Sequence, residues 1–207
     1  MRSLSAFELI AVIIWRVPAG WLYANLQVVA EESLPRLSWL SPKTEVRESP
    51  IHGRGLFARG NFVKDEIVAV KGGRIITREQ LGDINQRLGP VEIQIADNLF
   101  IAPVTSEERE ASMLYSNHSC NANLGIRGNI IFVAVRDIAA DEELTHDWCV
   151  TDDDNYTVEC RCGSAICRRT LTGKDWQRPE LQDRYAGYFS WYLANKIRNH
   201  AATARRQ

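Results

Sequence analysis

The sequence predicts a β-rich domain of small sheets and short helices, closed by a helical extension. Three observations carry that expectation. Short β-branched and aromatic runs recur between residues 46 and 138, bounded by glycines or an Asp-Asn pair. Only two short helix patterns interrupt them. Strands do not alternate with long helices, so a doubly wound α/β sheet is excluded.

Taken in order, Ala6–Trp15, "AFELIAVIIW", is apolar with one charge, Glu8. It is shorter than the roughly 20 residues a membrane-spanning helix needs. Pro18 and Gly20 break it, and Trp21, Leu22, Leu26 and Val29 return at near-helical spacing. Residues 1–42 therefore read as an apolar helical appendage, with "LPRLSWLSP" as a linker or edge segment. Such a surface could also join two copies in a homodimer. From Val46 to Val70 short strands follow, among them "GLFA" and "EIVAV". "TREQLGDINQRL" opens with Thr77 and Gln80, a capping box, and predicts a short helix. "VEIQIADNLFIAP" alternates and turns at Asp97-Asn98, which predicts a β-hairpin. Thr105 and Glu108 open a second helix through about Leu114. Residues 129–138 predict a strand, and "EELTHDW" another. "PELQDRYAGYFSWYLANKI" has a helical pattern with Pro179 at its first turn.

The bulk numbers exclude some functions. The chain has 207 residues, enough for one domain plus an appendage, and a formal net charge of −1. No global basic field advertises direct nucleic-acid binding. Five cysteines, at 120, 149, 160, 162 and 167, argue against a secreted disulfide scaffold. They fit a reducing compartment, the cytoplasm, and a metal site. Cys160, Cys162 and Cys167 place three thiols within eight residues. Zinc takes four Cys or His ligands, so a fourth must come from elsewhere, with Cys120 and Cys149 as candidates. Gly53-x-Gly55 lets backbone approach a ligand, though alone it reads as a tight turn. Asn117 and His118 could bond a ligand, or be a satisfied polar turn.

Together these motifs resemble one family. "HGRGLFA", "YSNHSCNANL", "DEELTHDW" and "CRCGSAIC", in that order, look like the SET-domain protein lysine methyltransferases with a post-SET zinc motif. "TGKDWQRPELQDRYAGYFSWYL" is similar to the C-terminal extension of compact bacterial members. The resemblance implies a β-clip-like SET fold with a knot-like crossing of residues 117–123 and 143–148. It divides the chain into the appendage, a SET domain over 43–150, a zinc motif over 151–172 and the extension over 173–207. It implies that His52, Gly53, Arg54, Gly55, Asn117 and His118 bind S-adenosylmethionine. It makes Cys120 the fourth zinc ligand, beside Cys160, Cys162 and Cys167, and leaves Cys149 a buried free thiol. The expected activity is methyl transfer to a lysine amine of a basic protein or peptide.

The departures lie where the family places its chemistry. Trp148 stands where most members carry a tyrosine, and His146 where many carry Phe or Tyr. Lys71-Gly72-Gly73 likewise lacks a tyrosine. Trp keeps an aromatic wall but cannot accept a hydrogen bond from an amine. His146 could orient the amine, and Tyr115 could supply a hydroxyl. These three are the candidate catalytic residues. An acidic run, Asp152–Asp154, suggests a lip that favours basic substrates. The missing tyrosine also admits a second reading, a catalytically degenerate cofactor- and peptide-binding module. A third is a zinc-stapled interaction protein.

Overall fold

The computed structural model describes residues 36–204, and their compact unit begins at Arg36. The apolar appendage and the dimer expectation tied to it lie almost wholly outside the described residues. Its last part does not. Trp39–Leu40 form β1 and pair antiparallel with β4 (Ile67–Val70), so the linker segment is an edge strand of the main sheet. Ser38 is fully buried and accepts from Gly72 N at 2.9 Å.

Small antiparallel sheets dominate, as the sequence predicts. The main sheet runs β1-β4-β9-β8, with β8 at Leu124–Arg127 and β9 at Ile131–Ala134. A ribbon pairs β2 (Thr44–Glu48) with β3 (Arg54–Ala58). A three-stranded sheet orders β5 (Arg74–Thr77), β7 (Leu99–Ala102) and β6 (Ile93–Ala96). The expected Asp97-Asn98 hairpin joins β6 to β7. A last ribbon pairs β10 (Thr157–Glu159) with β11 (Thr170–Thr172) around the cysteine motif.

Both middle helices form where their caps place them. In α1 (Arg78–Leu88) Thr77 and Gln80 complete the reciprocal capping box. Its Leu81, Ile84 and Leu88 share one face and pack with Ile76 and Phe100 in a small core. In α2 (Ser106–Ser112) the box is half made. Thr105 accepts from Glu108 N, but Glu108 turns its carboxylate to Val104 N and Arg74. The helix stops at Ser112, two residues before the expected end. There the Ser112 carbonyl is taken by Ser38 Oγ at 2.6 Å and Lys71 Nζ at 3.1 Å, a buried cation at a helix C-terminus.

Two regions differ from expectation. "EELTHDW" is not a regular strand. Its Glu143 and His146 make isolated bridges, and Trp148–Val150 form a 3-10 turn capped by Asp147. The C-terminal helix is two helices, α3 (Pro179–Arg184) and α4 (Trp191–Ala204). Gly187 at φ +81° turns the chain between them. The break lets Tyr188 O accept from Ile126 N and Ser190 N donate to Val150 O, both at 2.8 Å. Trp176, Leu181, Tyr185, Tyr188 and Leu193 thereby enter the same core as Leu56, Leu124, Phe132 and Leu144. The extension is part of the central core, not a peripheral tail.

Candidate active site and metal centre

The cofactor candidates from two distant motifs meet at one side chain. The Asn117 amide donates to His52 O at 3.1 Å, Arg54 O at 3.3 Å and Glu143 Oε1 at 2.8 Å. Glu143 also accepts from Ser49 Oγ at 2.8 Å, so the loop before β3 is tied to the 143–148 segment. Gly55 is fixed by this packing. A Cβ there would stand 2.5 Å from Glu143 Oε1 and 2.9 Å from Ser49 Cβ. Gly53 lies at φ +48° with open space beside it, leaving a backbone cradle free of side chain. Gly55→Ala therefore displaces Glu143 and, through it, Asn117. We expect cofactor affinity to fall about 10-fold or more, as for loss of one buried hydrogen-bonded contact. Isothermal titration of wild type and variant checks this, and equal affinities would refute it. The Arg54 guanidinium turns away from the cradle, to Glu110 at 3.2 Å and over the Tyr115 ring.

Residues 143–148 and 117–123, the expected crossing, lie side by side. His146 N donates to Asn117 O at 3.1 Å and Ser119 N to His146 O at 3.2 Å, giving a parallel bridge between His118 and His146. Asn123 holds the pair from below, accepting from Thr145 N and donating to Glu143 O, both at 2.9 Å.

The three catalytic candidates do not converge equally. His146 points inward, not to solvent. Its ring sits edge-on to Phe132 at 5.2 Å and its Nδ1 meets Ser116 Oγ at 3.0 Å. Burial pulls its pKa down to about 4, so it is neutral at pH 7. Trp148 is 36% exposed and stacks edge-to-face on His118 at 5.3 Å and Tyr156 at 6.0 Å. Tyr115 is buried at φ +57°, and its hydroxyl is bound to Glu110. Burial and that carboxylate raise its pKa, so the hydroxyl is held as a donor to Glu110. Lys71 is 4% exposed and donates to Val91 O at 2.7 Å. Burial lowers its pKa to about 8.

The cysteine expectation meets a tight donor cluster. One donor atom each from His118, Cys120, Cys160 and Cys162 lies within 4.8 Å of the others, all four buried. Cys120 Sγ is 3.8 Å from Cys160 Sγ and 3.5 Å from His118 Nε2. Cys167 stands outside that set, but its Sγ lies 3.5 Å from Cys160 O. Backbone N–H groups point at the sulfurs: Arg168 N at Cys120 (3.3 Å), Cys120 N at Cys162 (3.5 Å) and Arg169 N at Cys167 (3.4 Å). Donors aimed at sulfur stabilise thiolates, and a buried soft donor set fits zinc. Cys149 lies apart in the main core, where burial pushes its thiol well above the usual range. His118, expected only at the cofactor, thus also borders the metal cluster.

Comparison with known proteins names the domain. Residues 53–149 match the family model described as the SET domain. These residues are a SET domain. Among curated relatives, histone-lysine N-methyltransferase trithorax of Drosophila virilis is 35% identical over 140 residues, covering 61% of this chain and 4% of that protein. Histone-lysine N-methyltransferase 2B of Homo sapiens is 31% identical over 140 residues, covering 61% and 5%. The H3 lysine-4 specific histone-lysine N-methyltransferase of Emericella nidulans is 30% identical over 138 residues, covering 59% and 11%. The chain spans only a small part of each relative.

The SET domain also has side chains at its site that motif reading missed. Asp147, 0% exposed, takes a two-point contact from Arg168 at 2.5 and 2.7 Å, and Arg168 Nε reaches Asp175 at 3.0 Å. This buried triad joins the 3-10 turn to the cysteine motif. The only sequence signal was an aspartate inside "THDW" with an arginine beside Cys167. The acidic lip is corrected as well. Asp153 is buried and bound by Lys174, Lys196, Trp176 and Tyr192. Asp154 pairs with Arg78 at 2.7 Å. Asp152 is partly buried and accepts from Asp154 N at 2.7 Å. The run is a structural hub that ties the hairpin and α4 to the turn after Trp148. Runs of like charge read as solvated, and only the tertiary partners show otherwise.

Proposed function

We propose that the chain is an S-adenosylmethionine-dependent protein lysine N-methyltransferase. The observation that carries this reading is the Asn117 amide, which joins the His52–Gly55 cradle to the 143–148 segment in one site. The relatives named histone-lysine N-methyltransferases support it. His52, Gly53, Arg54, Gly55, Asn117 and His118 would hold the cofactor, the glycines by close backbone approach. Bound there, S-adenosylmethionine supplies a methyl group activated by sulfonium. The protein must place the lysine amine in line with that methyl, exclude water and accept one proton, because free lysine titrates near ~10.4. Trp148 walls the acceptor side and neutral His146 and Ser116 floor it, while the Tyr115 hydroxyl is held by Glu110. Cys120, Cys160, Cys162 and Cys167 would hold zinc and fix the turn that carries Asn117 and His118. The segments 43–150, 151–172 and 173–207 then act as one unit around the site. The likeness of residues 172–193 to compact bacterial members rests on sequence alone.

The substrate is a lysine-containing basic protein, in a reducing cytoplasm that keeps the thiols free. No helix among the described residues is long and apolar enough to cross a membrane. The test is transfer of labelled methyl from S-adenosylmethionine to a panel of lysine-rich proteins. Transfer to lysine supports the reading, and its failure with cofactor bound refutes it. The second reading, a binding module without turnover, is favoured by Trp148 and by the sequestered Tyr115 hydroxyl. Trp148→Tyr separates the two. For an enzyme adapted to tryptophan we expect kcat to fall by about 10-fold or more, as for a displaced group at the reacting centre. Activity created from none marks a degenerate enzyme.

A further inference from the structure

The cradle around Asn117 holds more acceptors than its donors can serve. One carboxamide carries two N–H hydrogens. The Asn117 amide nitrogen faces three acceptors at bonding distance: His52 O, Arg54 O and Glu143 Oε1. At least one of them is left to a ligand or to solvent. The surplus is larger still. Ser49 Oγ gives its one hydrogen to Glu143 Oε1 and is itself oriented by Ile51 N at 2.9 Å. Among the described residues neither Glu143 Oε2 nor Asn117 Oδ1 takes a hydrogen bond.

Charge points the same way. Glu143 brings a carboxylate to the cradle, and among the described residues it has no Lys, Arg or His partner. Arg47 goes to Glu45 and Asp141, and Arg54 turns to Glu110. Glu143 is half-buried. Such a carboxylate, beside two backbone carbonyls, suits a cation that carries N–H donors. The fold fixes it there. Leu56 on β3 donates to Tyr115 O at 2.8 Å and accepts from Leu144 N at 2.7 Å. The strand that continues the cradle therefore lies between the segments bearing Asn117 and Glu143. Gly55, where a Cβ would collide with Glu143 Oε1, lets the carboxylate come this close.

We propose that Glu143, with the carbonyls of His52 and Arg54, forms an ammonium subsite that reads the α-amino group of the cofactor. This deepens the methyltransferase reading and rests on its cofactor assignment. Of the groups on S-adenosylmethionine, only the α-ammonium combines positive charge with three N–H donors. The sulfonium has charge and no hydrogen to donate. The adenine amine donates but is neutral. Glu143 is thus a specificity-determining residue, which selects the cofactor with its amino-acid end over nucleosides that lack it.

The test is calorimetric titration of the full chain and of Glu143→Gln with three ligands. The first is S-adenosylmethionine. The second is S-adenosylhomocysteine, which keeps the ammonium and lacks the sulfonium charge. The third is the deaminated homocysteine analogue, in which hydrogen replaces the ammonium. Glutamine keeps an oxygen for Ser49 and Asn117 and puts an NH2 group in place of the unpartnered oxygen. We expect the variant to bind both natural ligands about 10- to 100-fold more weakly, as for a lost hydrogen bond to a charged group. The deaminated analogue should bind wild type and variant alike. Equal affinity of the two proteins for S-adenosylhomocysteine overturns the proposal. So does a loss of the same size for the deaminated analogue, because Glu143 would then only position Asn117. A loss confined to S-adenosylmethionine assigns Glu143 to the sulfonium and overturns the ammonium subsite. A wild type that binds none of the three overturns the cofactor reading, and this proposal with it.

Discussion

Arg168→Met should destabilise the domain by about 3–5 kcal/mol, the cost of breaking a buried ion pair from one side. The guanidinium is 8% exposed and lies between two carboxylates, Asp147 at 0% and Asp175 at 6%. Methionine keeps most of the volume but leaves both anions in the core with fewer donors. Burial alone would raise the Asp147 carboxyl, yet Arg168 holds it below the usual carboxylate range. The sign of the pH dependence follows. A depressed folded pKa gives stability that is present above the unfolded aspartate value and is lost as pH falls through the folded one. In the variant this support is gone, so the gap between wild type and variant should be widest near pH 7 and narrow toward acid. Thermal melts of the metal-loaded proteins should show a drop of roughly 10 °C at neutral pH. A variant within 2–3 °C of wild type, about the shift expected of 1 kcal/mol, would show that the triad is dispensable.

That triad also marks how far the sequence could be read. The sheets, the hairpin at Asp97-Asn98 and the full cap of α1 were legible because each is set by local chemistry: alternation, turn residues and a reciprocal cap. Cys160-x-Cys162 was legible as a close pair of thiols for the same reason, since its spacing holds the two together, whereas Gly53-x-Gly55 alone read only as a tight turn. What failed is tertiary. Glu108 reads as the second half of a capping box but finds Arg74 and Val104 instead. Residues 143–148 read as a strand, yet their hydrogen bonds are spread over Leu56 on β3 and Asn117, Ser119 and Asn123 of the loop before β8. Asp152–Asp154 read as surface charge, whereas α4 brings Lys196 and Tyr192 from more than 35 positions away to bury Asp153. The role of Tyr115 inverted similarly: its place before Asn117 is local, but the destination of its hydroxyl is decided by Glu110 on α2.

Cys120→Ser should have the broadest effect of any substitution in the molecule. Cys120 is 0% exposed, and its sulfur lies 3.8 Å from that of Cys160. Serine is isosteric within a few tenths of an ångström but offers a hard, protonated oxygen where a soft thiolate ligand is needed. Metal affinity should fall by more than about 100-fold, beyond what loss of an outer-shell partner costs. Binding of a structural metal is coupled to folding, so the β10–β11 ribbon should loosen and the melting temperature drop. The loop geometry extends the damage. Asn117 and His118 lie within three residues of Cys120, and Asn117 alone bridges His52 O and Arg54 O. Cofactor affinity should therefore fall together with metal content, although no cofactor-facing residue was changed. Cys149→Ser is the control, because Cys149 is as deeply buried but sits in the main core away from the cluster. It should lower stability modestly and leave the metal in place. Metal analysis, melting curves and cofactor titration on the two variants decide the matter. Full metal occupancy in Cys120→Ser would remove it from the ligand set, while equal metal loss in both variants would reduce the effect to general unfolding. Loss confined to Cys120→Ser, with metal and cofactor affinities falling together, would show that one short loop couples the two sites.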